Sequence, residues 1–289
     1  MKVKMPTIQG AKLWVKNELY GLYPENEIDN FNFLILEHLF HYSKLELHLN
    51  KDKNISPEQL DKMKEFTHDL KHYKPIQYIL GQTEFYGLTF RLDRHVLIPR
   101  PETEELVDLI VQENQNHNSV ILDVGTGSGC IAVSLAKFIP GARVDAMDIS
   151  SAVLDVARRN AIENNVKVRF FKSDALLPDT NLPSEKYSVI VSNPPYVRLS
   201  EKKFMSKNVL DYEPPLALFV DDKDPLVFYT ALALMGKRYL SRRGIIYAEI
   251  NEAFGNEVKQ LFQNQDYYHV EIIKDLQKKN RILKAFPYR

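Results

Sequence analysis

Val120-Ile121-Leu122-Asp123-Val124-Gly125-Thr126-Gly127-Ser128-Gly129 is the stretch that decides the fold. The branched aliphatic run reads as a buried strand, the alternate glycines as a tight turn, and the apolar segment from Gly129 to Phe138 as a helix. Glycines at such a turn permit positive φ and let the backbone approach a ligand, whose polar groups meet free amides at the helix start. The form is GxGxG with an acid two residues before the first glycine, whereas the dinucleotide fingerprint is GxGxxG. Pyrophosphate is poorly served beside Asp123; a ligand with an ammonium group tolerates that carboxylate far better.

Downstream the pattern alternates. Strands are predicted over 143–147, 168–171, 187–192 and 244–250, and helices over 152–164, 225–240 and 252–263. Segments 267–273 and 281–286 close as a strand pair, and 193–224 reads as a long loop. Such alternation specifies a doubly wound, mostly parallel sheet with an antiparallel strand at its end. Upstream, residues 6–74 read as helical, with Leu34, Ile35, Leu39, Phe40, Leu45 and Leu47 at helical spacing. Ser56 and Pro57 mark a helix start as N-cap and first helical residue. From Pro75 the period changes. Gln77–Gly81 and Glu84–Phe90 suggest a hairpin connecting two domains. The expected organisation is a helical domain over 1–74, a hairpin linker over 75–98 and a catalytic domain over 99–289.

At 289 residues the chain is long enough for two domains and a large core. Lys plus Arg and Asp plus Glu are both 38, so no overall basic field exists to hold a nucleic acid. Residues 1–80 are neutral too, with 11 Lys and no Arg against 11 acids. The single cysteine, Cys130, rules out an intramolecular disulfide framework. No apolar signal segment and no membrane-length run is visible, so a cytoplasmic protein is expected. His38/His41 and His68/His72 have spacings that could hold a metal, but neither Cys nor HExxH accompanies them, and no metal is expected.

Three further positions carry chemistry. Asp148, 19 residues after Gly129 at the end of the second strand, is placed to accept the hydroxyls of a ribose, with an N-cap for the helix that begins near Ser150 as the alternative. Asp174-Ala175, just past the third strand, could receive an adenine amino group, with a turn residue as the equally weighted alternative. Asn193-Pro194-Pro195-Tyr196 ends the strand 187–192, because two prolines cannot donate to a ladder. It leaves an amide and an aromatic ring at the carboxyl end of the sheet, where open α/β folds bind ligands. The Asn193 side-chain oxygen and the Pro194 carbonyl could accept both N–H groups of a planar amino or amide nitrogen. They would favour the positive charge that develops on it, while Tyr196 stacks on the planar group.

Together, the Gly125–Gly129 loop, Asp148 and Asp174 resemble the S-adenosylmethionine site of class I methyltransferases, a Rossmann-like fold with a seven-stranded, mostly parallel sheet. Asn193–Tyr196 resembles the motif of members that methylate planar nitrogen, among them adenine and guanine amino-group enzymes. Pro75–Gly81, Phe85-Tyr86-Gly87, Ile98-Pro99-Arg100-Pro101-Glu102-Thr103-Glu104, Tyr212-Glu213-Pro214 and Arg281 are similar to the peptide chain release factor glutamine methyltransferase family, the HemK/PrmC type. That resemblance covers about 75–289 and extends weakly into the helical N-terminus. It implies methyl transfer to the side-chain amide of the glutamine in the Gly-Gly-Gln motif of release factors. Separately, a monomer without direct nucleic-acid or membrane partners is expected. Gly125, Thr126, Gly127, Ser128, Gly129, Asp148, Asp174, Ala175 and Asn193 would hold the cofactor. Asn193, Pro194, Pro195 and Tyr196 would hold the glutamine, with Asn193, Pro194 and Tyr196 acting on it. The N-terminal helices would grip the release factor.

Two segments depart from the family pattern. Asp221–Leu226 replaces a Gly-rich stretch, and Asn251–Gly255 lacks a glutamine before Gly255. Neither is expected to touch the chemical residues. Cys130 reads as a small packing residue and the run Lys274–Arg289 as a solvated basic face. Arg100, a cation held between two prolines, has no assigned role.

Overall fold

The computed structural model describes residues 6–115, 118–177, 182 and 186–287. Met1–Met5 and Arg289 therefore lie outside the described residues. The chain divides into two compact units, Met1–Gly81 with Lys207–Tyr212, and Gln82–Ser206 with Glu213–Arg289.

The first unit contains α1 (Ile8–Leu19), α2 (Glu25–Phe40), α3 (Lys44–Leu49), α4 (Pro57–Lys71) and α5 (Ile76–Leu80). Its helices begin where side chains satisfy orphan amides. Thr7 caps α1, and Ser43/Glu46 and Ser56/Gln59 form capping boxes on α3 and α4. Ile8, Ala11, Val15 and Leu19 form one buried stripe of α1, which meets Ile28, Phe31 and Ile35 of α2 and Met63 and Leu70 of α4. Apart from Ala11, each such side chain contributes about 1.5–3 kcal/mol on burial. Leu45, at a position that suited the helical pattern, instead points to solvent. Residues 77–80, read above as strand, are the helix α5. Pro75 starts it and Gly81, at φ 69°, stops it. A five-residue run between these breakers, apolar but for Gln77, fits either period, and packing of Ile76, Ile79 and Leu80 on the helical core decides it.

The second unit opens with the hairpin β1 (Gln82–Phe85) and β2 (Leu88–Arg91), followed by α6 (Pro101–Asn114) and β3 (Val120–Val124). Then come α7 (Cys130–Phe138), β4 (Arg143–Asp148), α8 (Ser151–Glu163), β5 (Val168–Lys172) and β6 (Tyr187–Ser192). The segment read as a long loop holds β7 (Val197–Arg198), α9 (Lys207–Tyr212) and β8 (Phe219–Val220). These pieces are too short to show a period. The chain closes with α10 (Val227–Tyr239), β9 (Leu240–Glu249), α11 (Gly255–Asn264), β10 (His269–Lys274) and β11 (Asn280–Phe286). Of α9, the contacts lie in the first unit, where the Tyr212 hydroxyl donates to the His72 carbonyl at 2.8 Å.

Seven strands form one sheet in the order β10-β11-β9-β6-β3-β4-β5, parallel except for β11. Side chains alternate across it: Ile121 packs with α6, α7 and the hairpin residues Phe85 and Phe90, while Leu122 and Val124 pack with α10 and α11. The chain runs outward from β3 through β4 to β5, then returns to β6 on the other side of β3. That reversal is the topological switch point, where the loops behind two adjacent strands diverge and open a crevice at their carboxyl ends. Val124 is in register with Ser192, and the Ser192 hydroxyl donates to the Val124 carbonyl at 2.7 Å. The Gly loop and Asn193–Tyr196 therefore leave the sheet side by side.

Candidate active site

Gly125, Gly127 and Gly129 adopt φ of 72°, 55° and 81°. Gly129 needs its missing side chain as well, since a β-carbon would lie 3.1 Å from Ala157 Cβ at the α7–α8 crossing. The loop is braced from inside. The fully buried Asp123 accepts the Thr126 hydroxyl at 2.6 Å, and burial pushes its carboxyl up to about 7. Asp123 and Thr126 thus hold the turn rather than facing solvent. Asp148, at the end of β4, accepts the Gly127 amide at 3.2 Å and the Ser150 amide at 3.1 Å; burial raises its pKa against those two bonds. The helix cap of α8 is Ser150, not Asp148. Asp174 spends Oδ1 on the Leu176 amide at 2.9 Å, and Ala175 packs against the sheet core. Ser128 and Gly129 are buried, and the Ser128 carbonyl receives Asn160 Nδ2 at 2.8 Å.

Behind β6 a second set converges. Asn193 Nδ2 donates to Thr103 Oγ1 at 3.0 Å, and Thr103 donates to Glu249 Oε2 at 2.7 Å. Tyr196 donates to Glu249 Oε1 at 2.8 Å. Pro194 is buried beneath, and Pro195 is half-buried. Glu249 is 1% exposed at the end of β9. Burial raises its pKa, opposed by the Thr103 and Tyr196 hydroxyls and the Arg281 charge. Tyr196 is pushed far above the ordinary tyrosine range by burial and by Glu249, so it is a neutral donor.

Sequence reasoning missed Thr103 and Glu249. Thr103 hid inside an acidic helix start, and Glu249 was read only as part of a strand. The readable signal was a lone carboxylate on an apolar strand, which cannot be buried without partners. Arg100 pairs with Glu213 Oε1 at 2.5 Å, and Ile98 N donates to Glu213 Oε2 at 3.3 Å. This joins two distant family-like segments. Against expectation, one departure does touch the site: Asn251 Nδ2 donates to the Tyr196 carbonyl at 3.3 Å, while its Oδ1 caps the turn that precedes α11. In the other, Asp222 accepts the Ser200 amide at 3.1 Å and Asp221 the Lys223 amide at 2.9 Å, an ordinary polar turn. Burial pushes the Cys130 thiol up to about 12, as suits a packing residue. No group of three or more His, Cys, Asp or Glu among the described residues could hold a metal, and none of their helices is long and apolar enough to cross a membrane.

A glycine loop and an Asn-Pro-Pro-Tyr turn at the switch point of a seven-stranded sheet with one antiparallel strand define an enzyme of the Rossmann-like methyltransferase class. Residues 103–211 match the family Methyltransferase small domain, and residues 15–81 the PrmC N-terminal domain. Among solved structures, a methyltransferase from Pyrococcus furiosus superposes with a TM-score of 0.53 at 20% identity, covering 78% of this chain and 100% of that one. The Release factor glutamine methyltransferase of Flavobacterium psychrophilum is 43% identical over 92% of this chain and 94% of its own. That of Bacteroides thetaiotaomicron is 43% identical over 94% and 97%. The chain belongs to the release factor glutamine methyltransferase family.

Proposed function

We propose that this enzyme transfers a methyl group from S-adenosylmethionine to the side-chain amide nitrogen of the glutamine in the Gly-Gly-Gln motif of a peptide chain release factor. The observation that carries this reading is the set of the Asn193 amide. Its NH2 is engaged by Thr103, so Oδ1 is the end that remains to accept a substrate N–H. The Pro194 carbonyl would take the second N–H, and the Tyr196 ring would lie against the planar amide. An amide nitrogen is a weak nucleophile because its lone pair is delocalised into the carbonyl. Two acceptors at its hydrogens would favour the positive charge that builds on nitrogen, and no general base is needed before transfer.

The loop behind β3 fits the cofactor. A β-carbon on Gly125 or Gly127 would meet nothing within 4 Å, so that side of the backbone is open to a ligand. When bound there, S-adenosylmethionine supplies an electrophilic methyl on a sulfonium. Gly125–Gly129 would receive its methionine end, Asp148 its ribose hydroxyls, and the Asp174-Ala175 turn its adenine. The helical unit would hold the release factor. Zero net charge and a neutral stretch over residues 1–80 favour a protein over a nucleic-acid substrate.

The test incubates the enzyme with methyl-labelled S-adenosylmethionine and a release factor, intact or with the motif glutamine replaced. Label is expected on the intact factor alone. Equal labelling of the replaced factor, or labelling of RNA or DNA instead, would sink the assignment.

A further inference from the structure

We propose that Thr103 and Glu249 are positioning residues that fix which end of the Asn193 amide faces the substrate, and thereby make the site select glutamine over its isostere glutamate. This rests on the reading that Asn193 holds the substrate amide. The argument is one of hydrogen-bond polarity. Ionised, Glu249 only accepts, so both hydroxyls that reach it, from Thr103 at 2.7 Å and Tyr196 at 2.8 Å, spend their proton on it. A threonine hydroxyl has one proton. Toward Asn193, at 3.0 Å, Thr103 can therefore offer only a lone pair, and the amide must present its NH2.

Asn193 Oδ1 is then turned away from Thr103 as a pure acceptor. The two ends of an amide are nearly identical in shape, and a rotation of χ2 by half a turn exchanges them. Nothing steric would prevent that exchange; the Glu249 carboxylate does, relayed through one hydroxyl. A glutamine placed against Oδ1 brings N–H groups and pairs. A glutamate of the same shape brings only acceptors, and oxygen would face oxygen. The same carboxylate holds Tyr196 by its other oxygen, so a single buried group, 1% exposed, orients both the amide and the ring.

The discriminating variant is Thr103→Val, which keeps the shape and removes the relay. Methyl transfer and competition by a release factor with glutamate in the motif are measured together. With Thr103→Val, kcat is expected to fall roughly tenfold to a hundredfold with little change in KM for S-adenosylmethionine. The preference for the glutamine factor over the glutamate competitor is expected to shrink by about tenfold. Thr103→Ser, which restores the hydroxyl, is expected to recover both. Glu249→Gln, whose amide can donate to Thr103 and reverse the relay, should show the same loss of preference, and carries the test if Thr103→Val does not fold. Melting curves with S-adenosylhomocysteine check folding of each variant. If Thr103→Val and Glu249→Gln keep kcat and the preference within about twofold while Asn193→Ala is inactive, the relay is wrong and the reading of the site stands. If Asn193→Ala is as active as wild type, that reading itself fails.

Discussion

Asp123 shows how much one side chain is asked to do behind the glycine loop. It is fully buried, bonded to Thr126, and its carboxyl is pushed up to about 7 by burial, against an ordinary 3.8. Between these two values the folded protein retains a proton that the unfolded chain has released. Stability therefore falls as pH rises from about 4 to 7, by at most about 1.4 kcal/mol per unit from this group. Asp123→Asn is expected to flatten that dependence, read as unfolding midpoints in urea at pH 5 and pH 8. An unchanged slope would mean that Asp123 is ionised throughout. At this scale Asn193 and Tyr196 were legible, because an amide and a ring on either side of two prolines have few structural excuses. Thr103 and Glu249 were not, since neither residue type is unusual in a helix start or a strand, and only their meeting makes them informative.

Elements are tied to the cofactor loop by buried polar bonds. Asn160 of α8 accepts the Arg91 amide at 2.7 Å, donates to the Arg91 carbonyl at 3.0 Å, and donates to the Ser128 carbonyl at 2.8 Å. One amide thus fastens the β1–β2 hairpin to the glycine turn. Removing it leaves buried backbone groups unpaired, and Asn160→Ala is expected to cost about 2–3 kcal/mol in urea unfolding and to weaken S-adenosylhomocysteine binding. A loss below about 0.5 kcal/mol would show that water replaces the bonds without penalty. The hairpin itself was readable from Phe85-Tyr86-Gly87, but its first strand was placed too early. Breakers at Pro75 and Gly81 enclose a run too short for periodicity to separate helix from strand. Similarly, 193–224 looked featureless because strands of two residues have no pattern to read.

For the molecule as a whole, a bound cofactor should report on the fold. At a hundredfold excess over its dissociation constant a ligand of the native state adds about 2.7 kcal/mol. S-adenosylhomocysteine is accordingly expected to raise the melting temperature, and NAD to leave it unchanged; the reverse would point to a dinucleotide enzyme. The sequence by itself determined the alternating α/β order, the glycine turn, and the residues that end β3 and β6, because these depend on local propensity and on period. It also carried enough ordered motifs to point to the family. Only the tertiary structure decided that β3 and β6 are neighbours, that Arg100 answers Glu213 across the chain, and that Glu249 meets both Thr103 and Tyr196. Those pairings join residues up to 146 positions apart in sequence, as in Thr103 with Glu249. Sheet order and burial create them, and a buried charge acquires its meaning only from the donors that the fold brings to it.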